Sequence, residues 1–362
     1  MNEDHNLSLY KLLSILLFLT SFKALVKGYP NVEASISDFI DAINLFISSI
    51  DAYIDPKHPV DKAIITHAHA DHAKPNHNNV LATEDTINIM KIRYGNESAK
   101  NFQILKYGER IYVDGIYITL YPAGHILGSA QVLLEKKGYK VLVTGDFKTI
   151  PDATAQKFEL IKTNTLITEA TFGLPIFCHP DPSKEIKKII TSLKQNPECN
   201  YLIGVYSLGK AQRVINMLRV LGYTNEIYIH GSIKKINQYY LNKKINLGLY
   251  TQVNKDNIRL LKGQIILAPP SAIKDVWSRK INNKVIGLAS GWMAIKQRAK
   301  QKLIELPIIL SDHADWNELT KTIKSTEAEK VLITHGQEDC LKYWCKKNNI
   351  NADALVNKNK EL

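Results

Sequence analysis

Three histidines and an aspartate fall within six positions of the segment ITHAHADHAKP, residues 65–75, in a chain with only eleven histidines. Imidazole nitrogens and carboxylate oxygens are the ligands that borderline divalent metals such as zinc prefer. One zinc ion does not need His67, His69, Asp71 and His72 packed so closely. The pattern therefore predicts two adjacent metal ions, an arrangement that activates water against a phosphorus or carbonyl centre.

Further ligand candidates stand where predicted strands end. His125 lies in the glycine-containing segment YPAGHILGSA, Asp146 ends VLVTGD, and His335 ends VLITHG. A single aspartate or histidine at a strand end is at least as often a cap or turn residue. Together, however, these residues and the segment 65–75 predict one site, in which the Asp146 carboxylate bridges two ions. The predicted ligands are His67, His69, Asp71, His72, His125, Asp146 and His335.

Short apolar runs alternate with amphipathic segments along the chain, which predicts an α/β fold. A hairpin is predicted over 111–121, because Asp114-Gly115 tolerates the positive φ angles of a tight turn. Helices are predicted over 184–195 and from Gly209 onward. The predicted strands are 62–66, 141–146, 165–169, 201–206, 307–310 and 331–334.

Basic charge is concentrated in the middle of the chain. The 362 residues include 47 Lys and Arg against 35 Asp and Glu, a formal net charge of +12. Residues 181–290 hold 18 of the basic and 6 of the acidic residues, which leaves 29 of each elsewhere. Phosphate neutralisation concentrates Lys and Arg on one element, so we expect a polyanion-binding surface there. The alternative is a solvated surface that happens to be basic.

The first 40 residues are predicted to be a leader of uncertain role. The run 8–20, SLYKLLSILLFLT, is apolar enough for a signal peptide, but Glu3 and Asp4 stand where a positive region should be, and no A-x-A site follows. Lys23 and Lys27 interrupt the run, so it is too short to span a bilayer. We expect a packed or poorly ordered helix rather than a targeting signal.

Cysteine usage indicates a cytoplasmic protein, because none of the four cysteines has CxxC spacing and a disulfide framework is not expected. They are Cys178, Cys199, Cys340 and Cys345.

Several motifs resemble a known family. HAHADH, AGHILGSA and TGD closely resemble the metallo-β-lactamase fold, and LITEATFG with Glu169, LSDHADW with His313 and THG resemble the extra motifs of its β-CASP nucleases. YSLGKAQR, residues 206–213, and LASGWM, residues 288–293, are similar to segments where that group's cap opens and closes. Together the motifs are most similar to the DNA ligase-associated exonuclease family, over residues 45–350.

The resemblance implies an αββα sandwich into which an α/β β-CASP cap is inserted. The metallo-β-lactamase domain would comprise residues 41–175 and 287–362, and the cap would comprise residues 176–286. Most of the basic segment falls in this cap, so a phosphate backbone would pass between the cap and the hydrolase domain.

The resemblance also implies that the seven ligands divide between two ions that Asp146 bridges. The ligands of the first ion would be His67, His69 and His125. The ligands of the second would be Asp71, His72 and His335. Asp55, in YIDP, would brace the HxHxDH loop by hydrogen bonds, unless it is only the turn residue before Pro56.

The residue chemistry supports hydrolysis of a phosphodiester bond. Two divalent ions, zinc or manganese, would share a hydroxide, lower its pKa and direct it at the phosphorus. His313 is the candidate general acid, because imidazole titrates near neutral pH. Glu169 would accept a hydrogen bond from its second nitrogen and keep the ring charged. The predicted catalytic residues are thus His313 and Glu169, together with the metal ligand Asp71. The alternative for His313 is a structural histidine that caps the next helix.

Candidate contacts to nucleic acid lie in the predicted cap. Lys210 and Arg213 are predicted to bind phosphates, and Lys234 and Lys235 are weaker candidates, because paired lysines are usually only solvated. Three aromatic residues would either stack on bases or belong to the core. They are Tyr239, Tyr240 and Trp277.

The expected protein is a metal-dependent DNA exonuclease of DNA repair, with DNA favoured over RNA. DNA ligase or helicase partners are implied by the resemblance alone. An RNA-processing β-CASP ribonuclease is the alternative, because the same chemistry cleaves both polymers. A small-molecule ester or thioester hydrolase of this fold would need neither the cap motifs nor the basic insertion. A membrane partner is not expected, because we find no convincing basic amphipathic face.

Overall fold

The computed structural model of the protein describes residues 45–355. The predicted leader, residues 1–40, lies outside this range. Within the described range the chain forms three β-sheets, whose strands are numbered β1 to β18 in chain order. Across the same residues, every helix is too short or too polar to cross a lipid bilayer.

The first two sheets form the two central layers of a sandwich. In spatial order, the first sheet contains β1 (Phe46–Ile47), β2 (Ala52–Ile54), β3 (Lys62–Ile64), β4 (His77–Ala82) and β5 (Ala99–Ile104). The second contains β18 (Ala352–Ala354), β17 (Lys330–Gly336), β10 (Thr165–Ala170), β9 (Tyr139–Val143), β8 (Ala130–Lys136), β7 (Ile116–Pro122) and β6 (Arg110–Val113). Apolar residues of both sheets share one buried cluster, so the sheets pack face to face.

The third sheet is parallel in every pairing and lies in the predicted cap. In spatial order it contains β13 (Tyr250–Gln252), β12 (Ile227–Ile229), β14 (Ile265–Ala268), β11 (Asn200–Gly204), β15 (Lys284–Ala289) and β16 (Leu306–Ile308). Its last strand lies beyond residue 286, where sequence reasoning ended the cap. The division into domains stays a prediction, but the sheet continues to residue 308.

The described α-helices cover the outer faces of the sheets. They are α1 (Glu84–Tyr94), α2 (Pro182–Gln195), α3 (Lys210–Val220), α4 (Gly231–Asn242), α5 (Val276–Arg279), α6 (Lys296–Gln301), α7 (Trp316–Ser325) and α8 (Glu338–Lys347). Residues of α7 and α8 pack with Leu166 and Val331 of the second sheet, while Ile167 faces the first sheet. Strand β10 is therefore buried on both faces, as a parallel strand between two layers should be.

Local sequence explains several element boundaries. The hairpin β6–β7 turns at Asp114 and Gly115, whose φ angles of 45° and 88° match the predicted tight turn. Helix α7 begins with a capping box, in which Asp315 accepts a hydrogen bond from the backbone N–H of Glu318 and the Glu318 side chain reaches back to Asp315. The predicted α/β sandwich with an inserted α/β cap is confirmed.

The cap is fixed to the sandwich by a continuous apolar core. Ile87 and Met90 of α1 belong to the same buried cluster as Val214 of α3 and Ile236 of α4. Polar contacts add to this packing, because Lys243 at the end of α4 makes ion pairs with the two acidic residues in the first turn of α1. The cap and the sandwich therefore enclose a cleft between fixed walls.

Candidate metal centre

Strand order explains why the predicted ligands meet. Strand β10 pairs in parallel with β9 on one side and with β17 on the other. Residues at or just beyond the carboxyl ends of these strands, Asp146, Glu169 and His335, therefore lie at one edge of the second sheet. The loop after β3, with its three histidines, reaches the same edge from the first sheet.

Three histidine rings lie together where the first metal subsite is predicted, and we define this candidate subsite as His67, His69 and His125. Their ring centroids are 4.9, 4.7 and 4.8 Å apart, and His125 Nε2 lies 3.0 Å from His69 Nδ1. His67 Nε2 is buried and has no hydrogen-bond partner among residues 45–355. A buried nitrogen without a partner costs free energy unless a ligand satisfies it, so these donors fit a divalent ion.

One oxygen of Asp146 lies between two groups of ligands. Its Oδ2 is 3.5 Å from His67 Nε2, 3.7 Å from His125 Nε2 and 3.4 Å from His72 Nε2. A carboxylate in this position can bridge two neighbouring ions. The described residues thus include a cluster of histidine and aspartate side chains able to hold metal.

The second metal subsite, Asp71, His72 and His335, is more open. His72 Nε2 lies 3.8 Å from Asp71 Oδ2, and the ring centroids of His72 and His335 are 5.5 Å apart. The side chain of Asp71 is 80% exposed, and His335 is exposed, with a φ of 53°. The structure therefore brings all seven predicted ligands to one edge, but it encloses only the first subsite.

Asp55 braces the histidine loop. Its Oδ1 accepts a hydrogen bond from the backbone N–H of Thr66 at 2.7 Å, and its Oδ2 lies 2.7 Å from His72 Nδ1. The Asp55 carboxylate therefore accepts the proton of His72 Nδ1, and Nε2 of the same ring faces Asp146. This geometry matches the bracing role and not the simple turn residue.

Burial sets the protonation of the ligands. Burial lowers the pKa of His67 and of His125 well below the usual value and lowers the pKa of His69 to about 4, so these rings are neutral and able to bind metal. Burial also opposes the charge of His72, but the Asp146 and Asp55 carboxylates outweigh it and raise its pKa well above the usual value.

His313 and Glu169 form a hydrogen-bonded pair beside this cluster. His313 Nδ1 lies 3.0 Å from Glu169 Oε2, and Glu169 Oε1 accepts the backbone N–H of Phe147 at 2.8 Å. Burial lowers the pKa of His313, but Glu169 first and then Asp146 outweigh it and raise the pKa to about 9. The helix-cap alternative for His313 does not hold, because Asp315 caps α7.

The predicted phosphate contacts Lys210 and Arg213 are both only 4% exposed. Lys210 Nζ lies 2.9 Å from Asp312 Oδ2, and Arg213 Nε lies 2.7 Å from Asp152 Oδ2. Their charges are already compensated inside the protein, so the structure gives them an internal role. For Arg213 the prediction of a phosphate contact therefore loses its support, but for Lys210, which also lines the cavities at the centre, it stays a prediction.

The aromatic candidates also lie away from open surface. Tyr240 is fully buried in the core, the Tyr239 hydroxyl donates a hydrogen bond to Asp85, and Trp277 packs against His230. Tyr240 is therefore a core residue and not a base-stacking one.

Sequence reasoning missed three residues near the centre. Tyr206 is 61% exposed at the start of the YSLGKAQR motif, where an aromatic residue before a glycine turn was the available signal. Arg93, on α1, donates a hydrogen bond to the carbonyl of Ala68 and so stabilises the histidine loop. Leu208 presents its carbonyl to His69, and a backbone contact of this kind has no signal in side-chain types.

Two cavities meet at the centre. The wide cavity, about 840 Å³, lies between the sandwich and the cap, and the narrow cavity, about 220 Å³, lies on the side of β17 and the 288–293 segment. Residues that line the wide cavity include His69, Arg93, Ser207, Lys235 and Pro269. Residues that line the narrow one include Thr171, Phe172, Ser290, Trp292 and His335. Both cavities are lined by Asp71, Asp146, Tyr206, Lys210 and His313.

Comparisons with known proteins agree with the motifs. The chain is 27% identical over 299 residues to a probable DNA ligase of Opitutus terrae, covering 81% of this chain and 28% of that protein. It is 31% identical to cleavage and polyadenylation specificity factor subunit 3 of Dictyostelium discoideum, covering 49% and 23%. The RNase J-like protein of Methanocaldococcus jannaschii is 24% identical, with 77% and 82% covered. The chain thus spans about a quarter of the length of the first two relatives.

A solved structure supports the fold. A protein of unknown function from Enterococcus faecalis V583 superposes with a TM-score of 0.55 over 84% of this chain and 80% of that one, at 14% identity. A search of family models gives no match. The relatives and the motifs around the histidine cluster nevertheless agree: the chain is similar to members of the metallo-β-lactamase-fold β-CASP nuclease family.

Proposed function

We propose that this protein is a dimetal-dependent exonuclease that degrades a single strand of nucleic acid, with DNA favoured. The observation that carries the proposal is the pair of cavities that meet at Asp146 and His313. The wide cavity suits an incoming strand. The narrow one, about 220 Å³, is below the roughly 300–1,000 Å³ of ordinary ligand pockets, so it suits a strand terminus rather than a continuing strand.

The centre fits metal ions because its donors converge and His67 Nε2 is buried without a hydrogen-bond partner among the described residues. Two bound divalent ions, zinc or manganese, would supply an activated water and neutralise charge that grows on the phosphate. Asp146 would help to hold both ions, and Asp55 orients His72 so that its Nε2 faces Asp146.

His313 would protonate the leaving oxygen. A pKa raised to about 9 keeps its ring charged at neutral pH, and it lines both cavities. Glu169 orients the ring and stabilises its charge through the contact at Nδ1. Transfer of the proton leaves a neutral imidazole beside Glu169, which water recharges before the next cycle.

The relatives favour two candidate substrates, DNA and RNA. The probable DNA ligase of Opitutus terrae matches 81% of this chain, and that relative favours DNA, whereas repair and a ligase or helicase partner rest on the resemblance of the motifs. The match to the RNase J-like protein covers 82% of that protein, which favours RNA as the second candidate. A cytoplasmic location, with reduced cysteines, accompanies both.

Cleavage of matched strands separates these candidates. Single-stranded DNA and RNA of one sequence, labelled at either end, are incubated with the full chain and zinc or manganese. We expect stepwise shortening of DNA from one end, intact RNA, and no cleavage by Asp146→Asn.

Three other outcomes would change the assignment. Cleavage of RNA as fast as DNA would favour the ribonuclease. Internal fragments from the first time point would overturn the exonuclease assignment. No cleavage of either polymer by protein with metal confirmed bound would overturn the nuclease and direct attention to ester and thioester substrates.

A further inference from the structure

The cap supplies a hydrogen-bond partner to a ligand of the first subsite. His69 Nε2 lies 3.2 Å from the carbonyl oxygen of Leu208, in the turn between β11 and α3. A ring nitrogen that faces a carbonyl must carry the proton, so this contact leaves His69 Nδ1 as the free acceptor. Partners of this kind fix the tautomer and direction of metal-binding histidines.

A second ligand is oriented by a loop that the cap holds. His125 Nδ1 lies 2.9 Å from the carbonyl oxygen of Asp312, which leaves His125 Nε2 free to face His69. The Asp312 carboxylate in turn pairs with Lys210 at 2.9 Å and with Arg213 at 3.3 Å, both on α3. The position of the Asp312 carbonyl therefore depends on α3.

Buried charges make this connection stiff. Asp312 is 3% exposed, and Lys210 and Arg213 are 4% exposed. Arg213 also donates to the carbonyl of Ser311 and pairs with Asp152 of the sandwich. Withdrawing α3 would leave these charges buried without partners, which is strongly unfavourable. The helix and the Asp312 loop therefore move together.

Gly209 shows how closely the helix approaches. It has a φ of 83°, and a Cβ added there would lie 2.3 Å from Cγ2 of Ile126, the neighbour of His125. The N-terminus of α3 thus lies directly against the turn that carries the ligand, and any side chain at position 209 would push the two apart.

From this juxtaposition, we propose that docking of the cap sets the metal affinity of the first subsite, because α3 and its preceding turn orient His69 and His125. The cap is then a structural part of the metal centre in addition to a wall of the cleft. The inference rests on the metal site of the proposed function but not on its substrate. Coupling between two sites is reciprocal, so a bound ion must also stabilise the docked cap.

Two glycines at opposite ends of α3 provide a matched test. Gly209 and Gly222 have φ angles of 83° and 84°, so an alanine meets a positive φ at either position. No described atom lies within 4 Å of a Cβ at Gly222. The affinity for zinc and the number of ions per chain are measured by competition with a chromophoric chelator. We expect Gly222→Ala to match the wild type and Gly209→Ala to lose about 10–100-fold in affinity for one of two ions.

Hydrogen exchange of the wild-type protein is the second measurement. It tests the coupling between the ion and the cap without a variant, so it also applies if Gly209→Ala does not fold. Zinc should slow amide exchange in Lys210–Val220 at least about tenfold relative to the distant strand Tyr250–Gln252. Equal affinity of Gly209→Ala and Gly222→Ala, or exchange in α3 that ignores zinc, would overturn this inference alone. A wild-type chain that binds no zinc or manganese would overturn the proposed function as well.

Discussion

The two metal subsites share the Asp146 carboxylate but differ in how they are enclosed. In the first, His67 is fully buried and His125 is 4% exposed. In the second, the Asp71 side chain is 80% exposed and His335 lies at the surface. Packing against the cap organises the first subsite before any ligand binds. The second is open to solvent at Asp71 and His335, so its geometry can adjust when a ligand binds.

The largest effect should come from the residue that both subsites share. Asp146→Asn keeps the shape of the side chain but removes the charge that attracts both ions, so we expect loss of both ions and cleavage below detection. Elemental analysis of the purified variant measures the ions per chain. A variant that retains two ions and cleaves at a tenth of the wild-type rate or more would contradict the bridging role.

Substitution of one ligand in each subsite should affect the binding of the two ions differently. His125→Ala leaves the buried first subsite one donor short, and we expect it to lose the tightly held ion. His335→Ala removes an exposed donor, so one ion should stay tightly bound while the affinity for the other falls about tenfold or more, which is roughly 1.4 kcal/mol. Calorimetric titration with zinc distinguishes the two. Equal losses in both variants would mean that the subsites do not differ.

Glu169→Gln should move the pH profile. His313 is protonated below its raised pKa of about 9, so cleavage that needs its proton falls as pH rises through that value. Glu169 is the largest of the charges that raise this pKa, and its removal should shift the alkaline limb of kcat/KM to lower pH by about one unit or more.

Glutamine retains an oxygen to accept the backbone N–H of Phe147, so the loop after Asp146 should keep its position. An alkaline limb that stays in place, with only a lower rate, would assign Glu169 a purely structural role. His313→Gln is the reference, because it should lose the limb altogether.

The smallest effect should come from substitution of an exposed lysine in the wall of the cleft. Lys234 and Lys235 are both exposed on α4, but of this pair Lys235 lines the wide cavity. Lys235→Ala should weaken binding of single-stranded DNA and lower the slope of log affinity against log salt by about 1, as loss of one phosphate contact does. Lys234→Ala is the matched control. Equal salt slopes in both variants would show that the strand does not follow this wall.

Residue types and their spacing were sufficient to predict part of the secondary structure and to point to the candidate ligands. The HxHxDH loop, the strand-terminal Asp146 and His335, and the turn at Asp114-Gly115 are local patterns, and coordination chemistry and backbone sterics act over the same short range. The structure therefore differs little from the sequence-based expectation at these positions. The predicted strands and helices lie within a few residues of the observed ones.

Long-range packing decided what the sequence left open. From the sequence alone, Lys210 and Arg213 are predicted to contact phosphate. In the folded chain, the carboxylate of Asp312, about a hundred residues later, compensates the charges of both side chains. Tyr240 is a core residue because α4 turns it inward. The carbonyl of Leu208 reaches His69 only through the path of the folded backbone. Charge compensation, burial and carbonyl direction depend on atoms that are distant in sequence, so local patterns pointed to the candidate ligands while the tertiary structure decided which cap residues contact them.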